Sequence, residues 1–161
     1  MRNGLKMFSL MLMAGLTAVA CAGGASVKQQ PLSFDAVQGK SWMLVEVKTD
    51  SGSVMINRPA LEANGMGDTY TLQIDAERIS GKAAPNRYFA PYQLGEDQHI
   101  SFKPIAGTLM ISIIDIKADL TEREYYDYLD QVYRWDISDG NLELHTLTKD
   151  GEAAVLIFSW Q

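Results

Sequence analysis

Apolar and polar positions change rhythm several times along this chain. Met7 to Ala20 is an unbroken run of apolar or small residues (MFSLMLMAGLTAVA) behind the basic Arg2 and Lys6. From Ser41 the rhythm becomes that of strands. Ser41 to Val47 is apolar and β-rich, and within Thr69 to Asp75 the residues Tyr70, Leu72 and Ile74 alternate onto one face. Arg78 to Gly81, Tyr88 to Leu94 and His99 to Phe102 predict further strands, the last two separated by the turn-rich Gly95-Glu96-Asp97. Thr108 to Ile114 is a continuous apolar run, the pattern of a central strand. The period then lengthens. Tyr125, Tyr128, Leu129 and Val132 stand at i, i+3, i+4 and i+7 and predict a helix over roughly Leu120 to Asp130. Asp119 or Thr121 can cap it, Thr121 with Glu124 fits a capping box, and Asp119, Glu122 and Glu124 put negative charge near its N-terminus. Alternation returns in Tyr133, Trp135 and Ile137, in Leu142, Leu144 and Thr146, and in Ala153 to Trp160. These last three segments are joined by Asp139-Gly140 and Asp150-Gly151, pairs that supply the positive φ angles of tight hairpins.

Strands, one helix and strands again exclude a doubly wound α/β arrangement, which needs helices alternating with strands. The expected class is mainly β (α+β): a curved antiparallel sheet or small β-barrel with one α-helix packed on it near 120–130, closure being the economical way to remove exposed edges. Ser51 to Asp68 has few periodic apolar positions and reads as a surface loop, with a short helical piece at Pro59 to Ala63.

The first apolar run changes the picture of where the chain works. Its fourteen residues would rise about 21 Å as a helix, short of the roughly 30 Å hydrocarbon core, and match the apolar region of a signal peptide. Ala18, Val19 and Ala20 then lead directly into Cys21, the only cysteine of the 161 residues. That junction resembles a bacterial lipobox, with Ala18 where leucine is usual. Cleavage before Cys21 and acylation of its thiol and new amine are expected. The alternative, an ordinary secretory cleavage after Ala18-Val19-Ala20, leaves Cys21 unmodified. Residues 1–20 are thus expected to be a cleaved lipoprotein signal peptide. Residues 21–33 form a lipidated cysteine and flexible tether, and 34–161 the folded domain. Ala22 to Pro31 (AGGASVKQQP) is small and polar, and its ten residues reach at most about 35 Å. Ala22 rather than aspartate after the cysteine points to the outer membrane, on its periplasm-facing side.

A lone cysteine excludes an intramolecular disulfide and any multi-cysteine metal site. The formal charge is −6, and loss of Arg2 and Lys6 with the leader makes it −8. Such a domain has no electrostatic footprint for nucleic acid, and a basic patch cannot be its hold on a membrane.

Phe34 to Glu46 (FDAVQGKSWMLVE) resembles the opening of META domains, the HslJ-like lipoproteins, with Gly39 and Trp42 in the expected places. Ile79 to Leu94 (ISGKAAPNRYFAPYQL) resembles the family's central segment, where Gly81, Asn86, Arg87, Tyr88 and Tyr92 match. Ile100 to Met110 resembles the strand that ends in Thr-x-Met, here Thr108 and Met110, and Glu124 to Phe158 resembles the closing helix and hairpins. Pro85 stands where the central segment often has a cysteine, and Ile111 or Ser112 where its partner often lies, so the bridge of many relatives is absent. Such a bridge is typically worth a few kcal/mol. The resemblance implies a β-rich barrel with a helix, a structural role for the matching residues, and an association with envelope stress and heat-shock responses. META-like proteins are not known as enzymes. Their fold is also similar to that of pilotins, lipoproteins that escort secretin subunits.

The search for chemistry supports a binding role over a catalytic one. His99 and His145 lie on separate predicted strands, too few ligands for zinc without carboxylates gathered by the fold. Asp119, Glu122, Glu124, Asp127 and Asp130 follow no calcium-loop pattern and read as a solvated helix face. There is no G-x-S-x-G elbow, and Gly65-Met66-Gly67 lacks the setting of a phosphate loop. Neither a cofactor nor a metal is expected. Tyr126 lies about a hundred degrees around the helix from Tyr125, off the buried stripe, and is a candidate contact for an apolar ligand or extended peptide beside a barrel mouth. The function expected is a lipid-anchored, non-enzymatic cell-envelope protein. It would hold the membrane through its lipid and serve stress tolerance by binding an envelope protein or apolar ligand. The alternatives are a pilotin-like chaperone with a barrel groove and a small hydrolase of dispersed residues.

Overall fold

The structure is a computed structural model that describes residues 33–110 and 120–161. The expected signal peptide, Cys21, the tether to Leu32, the 111–114 part of the apolar run and Asp119 lie outside the described residues.

A 3-10 turn at Phe34–Ala36 leads into β1 (Ser41–Thr49), which is followed by β2 (Gly52–Met55) and α1 (Arg58–Ala63). Next come β3 (Thr71–Ile74), β4 (Arg78–Lys82), β5 (Arg87–Leu94), β6 (Ile100–Phe102) and the two-residue β7 (Ala106–Gly107). The chain closes with α2 (Glu122–Asp130), β8 (Arg134–Ser138), β9 (Asn141–Leu147) and β10 (Ala153–Trp160). The strands form one antiparallel sheet in the order β6-β5-β4-β3-β1-β10-β9-β8, with β2 beside β1 and β7 beside β5. Its two ends nearly meet. Ile100 donates its N–H to Tyr133 O (3.1 Å), and Trp135 donates to Gln98 O (3.0 Å). Among the described residues the fold is therefore mostly β, a nearly closed barrel with one main helix, as the alternation implied.

The inward faces fill the barrel. Trp42, Leu44, Leu72, Ile74, Ile79, Tyr88, Ala90, Phe102, Leu142, Leu144, Leu156 and Phe158 are all buried. The last hairpins form where aspartate-glycine pairs stand. Asp139 and Gly140 take φ of 51° and 79°, the left-handed pair a two-residue turn needs.

Two segments depart from the sequence pattern. Gly52–Met55 is a strand within the expected loop, though all four residues are exposed. The run expected as a central strand is irregular over Thr108–Met110, and Leu109 is 98% exposed. The side chain of Asn86 takes the hydrogen bonds a neighbouring strand would have made to Met110: its Oδ1 accepts from Met110 N (2.7 Å), and its Nδ2 donates to Met110 O (3.1 Å).

Partway along β1 the wall divides. Ser41–Met43 pair with β3 and Glu46–Thr49 with β2, and a bulge against β10 between Leu44 and Glu46 absorbs Val45. Arg58, at the start of α1, reaches into the gap. Its guanidinium donates to Leu44 O (2.7 Å), Gly67 O (3.3 Å) and Thr69 O. Burial lowers its pKa. Its Nε is buried without a hydrogen-bond partner among the described residues.

Candidate functional site

The residues shared with the resembled family gather mainly at one end of the barrel, beneath α2. Thr121 begins the helix by accepting from Glu124 N (3.2 Å), while the Glu124 carboxylate accepts from Thr121 N (2.8 Å), a complete capping box. Tyr125 and Leu129 turn fully into the core, and Val132 closes behind them. Tyr128 is only half-buried, although it shares their stripe.

Tyr88 and Tyr125 meet below the helix, hydroxyl to hydroxyl at 2.9 Å. Tyr88 also donates to Thr71 O (2.7 Å), a carbonyl beyond the last paired residue of β3 with β4. The phenol reaches it by lying across Gly81, its cross-strand neighbour. A β-carbon at Gly81 would collide with the Thr71 oxygen and lie 2.7 Å from Tyr88 Oη, which is why no side chain is present there. Tyr70 joins edge-on to Tyr125 (centroids 5.3 Å) and donates to Leu120 O, tying the helix approach to β3. Burial raises the pKa of all three phenols, that of Tyr70 to about 12 and those of Tyr88 and Tyr125 further. They remain protonated donors.

Asn86 is the second fixed point. Its backbone N–H and its Nδ2 donate to the two oxygens of Glu122 (2.9 and 2.8 Å), and its Oδ1 accepts from Thr108 Oγ1 (2.8 Å). Thr108 in turn pairs with the Arg87 backbone in both directions (3.2 and 3.0 Å). Asn86, Thr108 and Met110 thus join the start of β5, the start of α2 and the chain after β7. Sequence reasoning placed Glu122 on a solvated face. Its carboxylate is instead half-buried as the partner of Asn86, and only a pairing between distant residues could have revealed that.

The other matching residues sit elsewhere. Trp42 is buried and donates its indole N–H to Val37 O (3.0 Å), and Gly39 donates to Ile74 O (2.9 Å). Tyr92, near the opposite end, has its Oη 2.9 Å from both the Asp75 and Ala76 carbonyls, which share its one proton, and accepts from Gln38 Nε2 (2.8 Å). Of these residues Arg87 and Met110 present their side chains outward, Met110 being 56% exposed.

Tyr126 is half-buried. Its ring packs on Tyr88 (centroids 5.8 Å), and its hydroxyl lies 3.5 Å from Glu122 Oε1. Burial, with the Glu122 charge beside it, raises its pKa. His99 is exposed immediately before β6, in a single antiparallel bridge to Arg134. His145 is half-buried on β9 with Nε2 4.0 Å from Glu143, and burial lowers its pKa. The structure does not bring the two histidines together with carboxylates: among the described residues no group of three or more His, Cys, Asp and Glu is placed to hold a metal ion.

What this end can do chemically follows from its bonds. The phenols, the amide and the carboxylate are engaged with main-chain groups or with one another, so they fix the helix and the adjoining loops in place.

The family model of the META domain matches residues 35–159. Among solved structures, the chain is similar to a protein from Burkholderia xenovorans solved by NMR, with 21% identity and a TM-score of 0.57, covering 87% of this chain and 96% of that one. It is also similar to a DUF4847 family protein from Bacteroides vulgatus, with 12% identity and a TM-score of 0.50, covering 78% and 94%. At these identities the likeness concerns the fold alone. No curated protein gives a significant match.

Proposed function

This chain belongs to the META domain family, and on that footing we propose that it is a lipid-anchored, non-enzymatic protein of the cell envelope, serving stress tolerance by binding another envelope component. The observation that carries the reading is the position of its sole cysteine. Cys21 stands directly behind a basic start, an apolar run of signal-peptide length and three small residues. Each buried methylene of an acyl chain contributes about 0.8 kcal/mol, so two or more chains on Cys21 hold the domain stably on a bilayer. Ala22 directs it to the outer membrane, and the small polar residues to Pro31 let the barrel stand off the surface. The engagement of the motif side chains in structural bonds favours recognition over catalysis.

Replacing Cys21→Ser in the expressed full chain is expected to abolish labelling by radioactive palmitate and to release the protein from the membrane fraction. Labelling that persists in the variant, or an unmodified thiol in the intact mass of the wild-type protein, overturns the anchor.

A further inference from the structure

The outer face of β1, β3, β4 and β5 is hollowed into a groove of about 430 Å³ on the side away from the core. Its floor is a cross-strand row of polar side chains: Ser41 opposite Gln73, and Gln73 opposite Ser80. Phe89, 51% exposed, continues the row opposite Ser80 and forms a wall. Cations mark both ends. Arg78 stands at one, and Lys82 with its cross-strand partner Arg87 at the other. In a chain of charge −6 this concentration of positive side chains runs against the average. Asp68 is the one carboxylate side chain on the lining, and it holds Lys82 at 2.6 Å. Among the described residues, neither Arg78 nor Arg87 has a side-chain ion pair or hydrogen bond.

We propose that this groove binds an extended acidic peptide segment of a partner protein, with two carboxylates four residues apart seated at Arg78 and at the Lys82–Arg87 pair. The spacing comes from the strand itself. Arg78 and Lys82 point to the same face of β4 four residues apart, about 13 Å at 3.3 Å per residue. A peptide lying extended along β4 repeats that interval between its own side chains at i and i+4. Ser41, Gln73 and Ser80 can both donate to and accept from its backbone, and Phe89 offers apolar contact to the side chain between the carboxylates. The inference deepens the reading of a binding module, and it uses neither Cys21 nor the tether.

The test uses the purified full chain in neutral detergent and a fluorescent Gly/Ser peptide carrying Glu at i and i+4, with the Gln-substituted peptide as control. Saturable binding is expected, weakening as salt rises. The Gln peptide and the paired replacement Arg78→Gln with Arg87→Gln should each lower affinity roughly tenfold. Ser80→Glu, which puts a like charge on the floor, should remove binding. Unchanged circular dichroism of each variant separates these effects from misfolding. Equal binding of the two peptides, no binding at millimolar peptide, or indifference to both sets of replacements overturns the proposal. So does binding to phosphatidylglycerol vesicles that depends on Arg78 and Arg87 while the Glu peptide fails, which would make the occupant a lipid headgroup. Acyl labelling of Cys21 is read separately, so failure of the groove and failure of the anchor are distinguishable.

Discussion

Under α2 the barrel is closed by directed bonds: the Tyr88–Tyr125 hydroxyl pair on the Thr71 carbonyl, Tyr70 on Leu120, and the Asn86 amide shared between Glu122, Thr108 and Met110. At the opposite end the 3-10 turn lies over aromatic surface, with Phe34 packed on Trp135 (5.1 Å) and Tyr92 (5.2 Å) and Trp42 buried beside Val37. Apolar burial is non-directional and scales with area, whereas a buried hydrogen bond is modest in net worth but costly to leave half-made. Buried tyrosines bring apolar area to the α2 end as well, but no single hydrogen bond there should match the loss of the whole Trp42 side chain. The α2 end should carry more of the definition, holding one helix and two loops in a single arrangement.

That contrast can be broken in graded steps. The largest effect is expected at the aromatic end: Trp42→Ala removes a fully buried indole and should cost about 3–5 kcal/mol in urea unfolding, and a near-neutral midpoint would contradict its place in the core. At the other end Asn86→Ala should cost about 2 kcal/mol, because one oxygen of Glu122, the Thr108 hydroxyl and both polar groups of Met110 lose their partner together, while the backbone N–H of residue 86 keeps its bond to Glu122. Its signature should be local, with faster amide exchange in residues 106–110 and the first turn of α2 and little change near Trp42. Smallest is Tyr125→Phe, about 1 kcal/mol near neutral pH.

The same variant sharpens the comparison in alkali. Unfolded phenols titrate near pH 10, but burial holds Tyr70 up to about 12 and Tyr88 and Tyr125 higher. Above pH 10 the unfolded chain therefore binds fewer protons than the folded one, and stability falls as pH rises. The contribution is complete below pH 10 and is lost progressively above it. Unfolding midpoints measured from about pH 8 to about pH 11 should decline in the wild type and decline less in Tyr125→Phe. Parallel slopes would remove the α2 end as the source.

Much of the framework was legible because local chemistry and burial agree there. Thr121 and Glu124 announce a helix start, Asp139-Gly140 a hairpin, and Tyr70, Leu72 and Ile74 a buried face. Each of these signals is written within a few residues. The missed elements depend on distant partners. Gly52–Met55 has no buried side to alternate and is a strand only because the second half of β1 lies next to it. Thr108–Met110 looks like a core strand by hydropathy, yet Asn86 captures it with a side chain, an event invisible to periodicity. Of the motif residues, Trp42 and Gly81 could be read as packing positions. The partnership of Asn86 with Glu122 spans 36 positions and leaves no local mark. Arg58 was hidden in the same way, inside a segment read as a loop.

The bulge at Val45 bears on how this sheet avoids error. A uniform strand can slip by one or two residues against a single neighbour and still satisfy most of its ladder. β1 cannot, because its free side is shared between two strands that join it on either side of a kink, with a forked cation keyed to the Leu44 carbonyl at the junction. Sliding would have to happen against both partners at once and would pull that carbonyl off its fork. The division in the wall thus works as a ratchet stop, leaving the chain a single alignment in which the barrel can close.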